Sequence, residues 1–321
     1  MRALVTGGAG LIGSHLCEHL AARGDEVVVL DDLSTGRRQN LSALEREGSV
    51  RFIEGSVLDP DAVARAVEGC DAVFHLAAAV GVAMVLDEPV RTLETNTVGT
   101  ERVLRAASGV GARALVASSS EVYGRSAAVP YREDAELVLG PTTVARWGYA
   151  CSKALDEFMA LAYARERGVG VVVARLFNTV GERQVGRYGM VLPRLVARCR
   201  AGGPMEVYGD GAQTRCFAYA GDVAGVLTRL LDHPDARGRV FNVGNDEEVS
   251  VLALAEKVRD RVDPRCEIRR VPYESVYGEG FEDLRRRVPD LTRVRSLLGP
   301  LPMMGVDAIV DRVATSADGA A

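Results

Sequence analysis

The chain has 321 residues, 47% of them hydrophobic and 26% charged, with a formal charge of −5. That balance excludes a disordered chain, and at about 150 residues per domain the length predicts one large or two modest domains. A pI near 5.6 leaves no broad basic footprint for nucleic acid or an anionic membrane, and the longest apolar stretch, residues 77–86, is too short to span a bilayer.

An apolar strand begins directly after Met1 and Arg2, so no signal peptide is expected and the protein is expected in the cytoplasm. Short β-branched runs then alternate with helical patterns. Strands are predicted over 2–6, 26–30, 50–54, 72–75, 114–118 and 169–175, with helices over 11–23, 61–67, 89–107 and 147–167. The runs VVVL and VVVAR are apolar throughout, as strands buried on both faces are. This alternation predicts an α/β fold with a doubly wound parallel sheet.

Beyond Arg175 the rhythm breaks. Loops rich in glycine and proline (181–188 and 201–213) interleave with short helices, and a helix over 221–231 leads to a strand over 239–243 that rejoins the main sheet. The chain therefore divides into a cofactor lobe, residues 1–175 plus about 217–244, and a smaller C-terminal α/β substrate lobe, about 176–216 plus 245–321. The tail from Thr315 is small and polar and is expected to fray.

The six cysteines form no C-x-x-C pair and read as reduced, mostly buried small residues. His15-Leu16-Cys17-Glu18-His19 spells H-x-x-E-H, an inverted zinc-protease pattern. No downstream ligand cluster accompanies it, so the segment reads as an amphipathic helix and no metal is expected.

Gly7, Gly10 and Gly13 follow the first strand and open the first helix. In a Rossmann-type sheet the first glycine permits the tight turn, the second lets main chain approach a pyrophosphate, and the third lets helix and strand pack closely. The diphosphate then lies on the helix N-terminus, where free N–H groups favour negative charge. Asp31 stands 18 residues after Gly13 at the end of the second strand. An acid there holds ribose hydroxyls and repels a 2′-phosphate, which predicts NAD rather than NADP.

Tyr149-Ala150-Cys151-Ser152-Lys153 sets a phenol and an ammonium four residues apart, on one face of a helix. A nearby ammonium stabilises phenolate, so the tyrosine is expected to act as a base well below its ordinary pKa near 10. Ser118-Ser119-Ser120-Glu121-Val122-Tyr123-Gly124 lies at the end of a strand, and with it the Tyr-x-x-x-Lys pattern becomes specific.

With these motifs the chain resembles, over nearly its whole length, the extended short-chain dehydrogenases that act on nucleotide sugars. TGGAGLIGSHL, FHLAA (74–78), Asn96, SSSEVYG, YACSK, RLFNTVG (175–181) and VYGDGAQTRCF (207–217) carry the likeness. It implies that Ser119, Tyr149 and Lys153 abstract a sugar hydroxyl proton while hydride passes to NAD. It assigns cofactor contacts to Leu11, Ile12, Ser56, Val57, Leu76, Ala77, Ala78 and Asn96, besides the glycines, Asp31, Tyr149 and Lys153. It assigns substrate contacts to Asn178, Met190, Val191, Arg194, Val207, Tyr208, Gln213 and Arg215, an arginine being well suited to phosphate. A homodimer is implied, through helices 89–107 and 147–167, with Ala154, Leu155, Phe158, Leu161 and Ala162 on one face.

Within the family, dehydratases carry Asp-Glu after the catalytic hydroxyl residue; here Ser120-Glu121 stands there, which disfavours dehydration. Ser-Ser-Glu-Val-Tyr-Gly, Leu139-Gly140-Pro141…Arg146-Trp147-x-Tyr149 and Tyr277-Gly278-x-Gly280-Phe281-x-Asp283…Arg286-Arg287-Val288-Pro289 resemble the UDP-glucuronate decarboxylases. The resemblance puts Ser120, Glu121 and Arg287 at the reacting carbon, where a Glu–Arg pair delivers a proton to carbon 5. Read without the family, Glu121 is a buried acid paired with an arginine, and Arg287 belongs to a solvated Arg285–Arg286–Arg287 run. A UDP-sugar 4-epimerase and a non-catalytic NAD-binding sensor remain the other readings. Ser56 stands where the family has an aspartate near the adenine, and Gly299-Pro300-Leu301-Pro302 lacks the family's tryptophan.

Overall fold

In the computed structural model, which describes residues 1–184, 190–277 and 284–316, the main sheet has seven strands, all parallel. In chain order its elements are β1 (Arg2–Thr6), α1 (Leu11–Ala22), β2 (Glu26–Asp31), β3 (Val50–Glu54), α2 (Pro60–Val67), β4 (Ala72–His75), α3 (Pro89–Val110), β5 (Arg113–Ser119), α4 (Arg146–Arg167), β6 (Val171–Leu176), α5 (Ala220–Asp232) and β7 (Arg239–Val243). The spatial order is β7-β6-β5-β4-β1-β2-β3. The winding reverses between β1 and β4, which opens a crevice at the carboxyl ends of those strands.

Helices cover both faces. Leu16 and Leu20 of α1 and Val223, Leu227 and Leu230 of α5 pack on Val5, Val29 and Phe74. On the other side Val63, Val103, Leu104 and Ala160 pack on Leu4, Val28, Val73 and Val173. Each of these buried valines and leucines contributes about 1.5–3 kcal/mol. α3 runs three residues past the predicted end and stops at Gly111, which takes the left-handed φ of 72° that ends helices. β6 starts at Val171 rather than 169, because Val171 N–H turns back onto the Val169 carbonyl.

A second core lies beyond the sheet. Helices Val191–Arg200, Val251–Val262 and Val306–Thr315 enclose Leu192, Leu195, Leu254, Val258, Ile309 and Val310 around Met205 and Val207. The stretch 201–213, read from sequence as loop, contains the strand Met205–Tyr208, which pairs in parallel with Ile268–Val271. Thr214–Cys216 lies between Glu248–Ser250 and Arg286–Arg287, setting Arg287 directly beside Arg215. These strands have two to four residues, too few to show a period.

Cys151 is exposed and the other five cysteines are buried, all free. In the H-x-x-E-H segment, the His15 ring bonds to the Leu11 carbonyl (2.9 Å) and Glu182 (3.3 Å). Among the described residues no helix is long and apolar enough to cross a membrane. The Gly278–Asp283 part of the Tyr277 motif, residues 185–188 of the glycine-rich loop and most of the C-terminal tail lie outside the described residues.

Candidate active site

The crevice between β1 and β4 widens into a cleft of about 910 Å3 whose far wall comes from the second core. At its inner end Gly7 leaves β1 with φ 72°, and a Cβ there would stand 2.8 Å from the Ala77 nitrogen. A Cβ on Gly13 would stand 2.1 Å from the Gly7 carbonyl, so glycine alone lets α1 seat on the loop. Gly10 differs: a Cβ would meet only Gly7 O, at 3.3 Å, and its open side faces the cleft. No side chain caps α1 and no acid stands in its first turn. Its free N–H groups and positive dipole end are therefore available to an anion, and these residues fit a dinucleotide diphosphate.

Asp31 is 7% exposed at the rim of this loop, its carboxylate accepting from Ala9 N (2.9 Å) and Leu33 N (2.8 Å). Burial pushes its pKa up, against those two bonds. Leu11, Ile12, Val57, Leu76, Ala77 and Ala78 also line the cleft. Two residues assigned as cofactor contacts do not line it. Ser56 turns its hydroxyl to accept from Leu58 N (3.2 Å). Asn96, wholly buried in α3, accepts from Ala79 N (2.9 Å) and donates to Ser152 Oγ (3.1 Å), bracing the wall from behind.

α4 carries Tyr149 and Lys153 into the cleft one turn apart. Ser119 acts on the Tyr149 phenol to favour its charged form, and Ser119 Oγ accepts from Glu121 N (3.2 Å), which fixes the turn after β5. Behind them Glu157 accepts from Ser118 Oγ (2.5 Å) and pairs with Arg175 (2.7 Å), pinning β5 and β6 to α4. Ser120 is buried at the cleft wall.

The expected depression of the tyrosine is not found in this state. Burial raises the Tyr149 pKa above its ordinary value, and the Lys153 ammonium and Ser119 bond only partly offset it, with Glu121 and Asp156 adding to the rise. Burial is the largest cause, and Lys153, whose Nζ donates to Asp156 Oδ2 at 2.8 Å, offsets only part of it. For Lys153, burial works against the charge, but Asp156, then Tyr149, outweigh it and leave the pKa raised.

Facing this pair, Arg287 Nη1 donates to Glu121 Oε1 at 2.6 Å and an Arg146 nitrogen lies 3.9 Å from Oε2. Arg287 is 7% exposed whereas Arg286 is exposed, so the arginine run is not uniformly solvated. Burial tends to raise the Glu121 pKa, but Arg287, Arg146 and Arg215 hold it below the usual glutamate range. Glu121 is therefore ionised at neutral pH in the ligand-free protein. Three guanidinium groups around one carboxylate leave the pocket positive, suited to an anionic substrate.

At the outer end Asn178 donates to the Cys216 carbonyl (3.2 Å), and Gln213 Nε2 to Tyr208 O (3.0 Å) and Tyr273 Oη (2.8 Å). Arg194 stacks 4.2 Å over the Tyr208 ring. These residues, with Arg215, Met190 and Val191, line the cleft. Val207 does not. Its strand alternates, sending Tyr208 to the cleft and Val207 into the second core. Sequence reading gave no role to Arg146, Trp147, Arg125 or Tyr273, which also line it. Arg146 and Trp147 carried a signal, standing within one turn before Tyr149 on the same helix.

A dinucleotide loop, a Ser–Tyr–Lys set and an outer polar subsite define an NAD-dependent enzyme class, and the chain belongs to it: residues 3–244 match the NAD dependent epimerase/dehydratase family. The chain is 37% identical over 297 residues, 92% of its length and 91% of the relative's, to a UDP-N-acetyl-alpha-D-glucosaminuronate decarboxylase of Bacillus cytotoxicus. It is also 37% identical over 306 residues, 95% of its length and 67% of the relative's, to UDP-glucuronic acid decarboxylase 1 of Arabidopsis thaliana. A solved UDP-glucuronic acid 4-epimerase of Bacillus cereus, in complex with UDP-glucuronic acid and NAD, superposes with a TM-score of 0.85 at 26% identity, covering 98% of each chain.

Proposed function

We propose that the protein is an NAD-dependent decarboxylase of a UDP-linked uronate, acting through transient oxidation at carbon 4. The observation that carries this reading is the Arg287–Glu121 pair, with Arg146 and Arg215 around it, set opposite Tyr149 and Lys153. Decarboxylases among the relatives support it.

Gly7, Gly10, Gly13 and Asp31 would hold NAD. When bound, its oxidised nicotinamide brings a positive charge and accepts hydride from carbon 4. Tyr149 takes the carbon 4 hydroxyl proton, with Ser119 as hydrogen-bond partner and Lys153 holding the developing phenolate. The resulting β-keto acid breaks its C5–C6 bond, carbon dioxide leaves, and the electron pair flows into the carbon 4 carbonyl. The uronate carboxylate is drawn in by the guanidinium groups while ionised Glu121 faces it, a like charge relieved when carbon dioxide departs. Arg287, oriented by Glu121, is the group that protonates carbon 5, directly or through a water it holds; the carbon 4 ketone then takes back the hydride and the Tyr149 proton, which would regenerate NAD. Asn178, Gln213, Arg194 and Arg215 take the nucleotide end.

The cofactor and substrate lobes divide the chain near residues 176, 217 and 244. The protein pairs through α3 and α4 as a homodimer and works in the cytoplasm.

The test incubates the protein with NAD and either UDP-glucuronate or UDP-N-acetylglucosaminuronate, following carbon dioxide, NADH and product mass. A product lighter by carbon dioxide supports the reading. The second reading, a UDP-glucuronate 4-epimerase, is favoured by the likeness to the Bacillus cereus enzyme. A product of unchanged mass would establish it and sink decarboxylation.

A further inference from the structure

Lys153 and Asp156 are 3% and 0% exposed, one turn apart on α4, and joined at 2.8 Å. A buried ion pair is poor value as a stabiliser, since desolvating two charges offsets their attraction. Aspartate is also a weak helix former. The acid's presence here calls for another account, and its surroundings supply one.

A chain of buried polar side chains leads toward Asp156. Ala77 N donates to Thr6 Oγ1 (3.3 Å), and Thr6 Oγ1 is hydrogen-bonded to His75 Nδ1 (2.8 Å). His75 is uncharged, its pKa pushed down to about 3 by burial and then by Lys153. Its Nε2 is hydrogen-bonded to Thr100 Oγ1 (2.9 Å), and the Thr100 hydroxyl in turn favours the charged form of Asp156. Among the described residues Asp156 Oδ1 is buried without a hydrogen-bond partner, so the Lys153 ammonium is the acid's principal bond. The chain leads to one carboxylate. Starting from Ala77, it also ties that carboxylate to the cofactor wall.

We propose that Asp156 is a positioning residue, which keeps Lys153 an ammonium and aims it at Tyr149, with Thr100, His75 and Thr6 as its support. The inference rests on the assignment of Tyr149 and Lys153 to the reaction. The other groups facing the pair do not replace the acid. From α4, Glu157 is taken up by Arg175 and Ser118, and Tyr149 is itself the group to be tuned. From the turn after β5, Glu121 is held by Arg287; from β4, His75 is neutral. Without Asp156, burial acts on Lys153 with less opposition, and the lysine gives up its proton at lower pH.

The composition makes this directly measurable. The chain has only two lysines, Lys153 and Lys257, so carbon-13 labelling at lysine Cε gives two signals, assigned by Lys257→Arg. In the parent protein the Lys153 signal should stay at the ammonium position throughout the pH range in which the fold holds. In Asp156→Asn it should titrate about one to three pH units lower. Thr100→Val, close in shape, should shift it the same way by less. The alkaline limb of turnover on UDP-glucuronate should fall in parallel, with kcat reduced more than KM. A neutral Lys153 in the parent, or an unchanged titration in Asp156→Asn with only a lower Tm, overturns the proposal. If Asp156→Asn does not fold, the parent and Thr100→Val titrations still decide. A parent that turns over no UDP-uronate would end the decarboxylase reading while leaving the lysine titration valid.

Discussion

At the cofactor end the cleft wall is largely main chain: three glycines, a helix N-terminus without a capping side chain, and the carboxyl ends of β1 and β4. At the substrate end it is side chains, chiefly arginines, held by strands as short as two residues. Main-chain geometry is dictated by steric rules that leave a short local pattern. Side-chain geometry depends on which distant segments meet. The first end is built to hold one fixed shape, whereas the second sets charge around a group that leaves. Substitutions at the two ends should therefore fail differently, and turnover is most sensitive where the ends meet.

The largest effect is expected at that junction. Tyr149→Phe removes the proton acceptor and almost no contact area, so turnover should fall at least a thousandfold while UDP-sugar binding stays within a few-fold. Calorimetric titration with UDP-glucuronate beside a turnover assay checks both halves. Unchanged turnover would show that the proton is taken elsewhere.

Next comes the substrate end. Arg287→Ala should lower kcat for carbon dioxide release about a hundredfold, the range of a positioned acid–base group, with a smaller change in KM. A rise in KM alone would make Arg287 a carboxylate binder and no more. The pH dependence has a defined sign. Because the arginines hold Glu121 below the usual glutamate value of 4.5, their pairing is complete above that value and is lost only as pH falls through the lower one. The acidic limb should consequently not report Glu121 between pH 5 and 7, and a limb in that range that disappears in Glu121→Gln would contradict this assignment.

The contrast also explains how much was legible in sequence. Gly7, Gly10, Gly13 and Asp31 fall within one strand–helix–strand unit, so their spacing was legible in sequence, as was the parallel sheet, although the strand order was not. Glu121 and Arg287 lie 166 residues apart, and only the pairing of Arg287 with Arg215 brings the arginine into the cleft. Resemblance pointed to them; no local pattern did. Asn96 and Val207 do not line the cleft for a shared reason: a motif gives proximity, but which side of a wall a residue faces depends on packing. Asp156 went unread because an acid three residues after a lysine ordinarily marks a solvated helix face, and here that face is buried.

A smaller effect is expected at the cofactor end. Asp31→Arg should turn the preference toward NADP by roughly ten- to a hundredfold, the value of one or two charged hydrogen bonds. The same change removes acceptors from Ala9 N and Leu33 N, so stability should drop by about 1–3 kcal/mol. Equal affinity of the parent for both cofactors would defeat the assignment, whatever the variant does.

The least effect on turnover is expected on the outer face of α3 and α4, which belongs to neither end. Leu155 and Phe158 are 48% and 68% exposed, and Val90 and Leu93 on α3 are 67% and 41% exposed. Of the residues expected on the pairing face, Ala154 is not there; it is buried against Val122, Tyr123 and Phe177. The remaining exposed apolar residues form a surface of the kind that is ordinarily covered. Burying Phe158 against a second copy contributes up to about 3 kcal/mol, so Phe158→Glu should weaken association by a hundredfold or more. Sedimentation at micromolar concentration should show the parent as a dimer and the variant as monomer, with turnover per chain changed only slightly. A parent that sediments as monomer would remove the dimer, and this surface would then need another explanation. A variant that dissociates and also loses turnover would show that α4 needs its partner to hold Tyr149 in register.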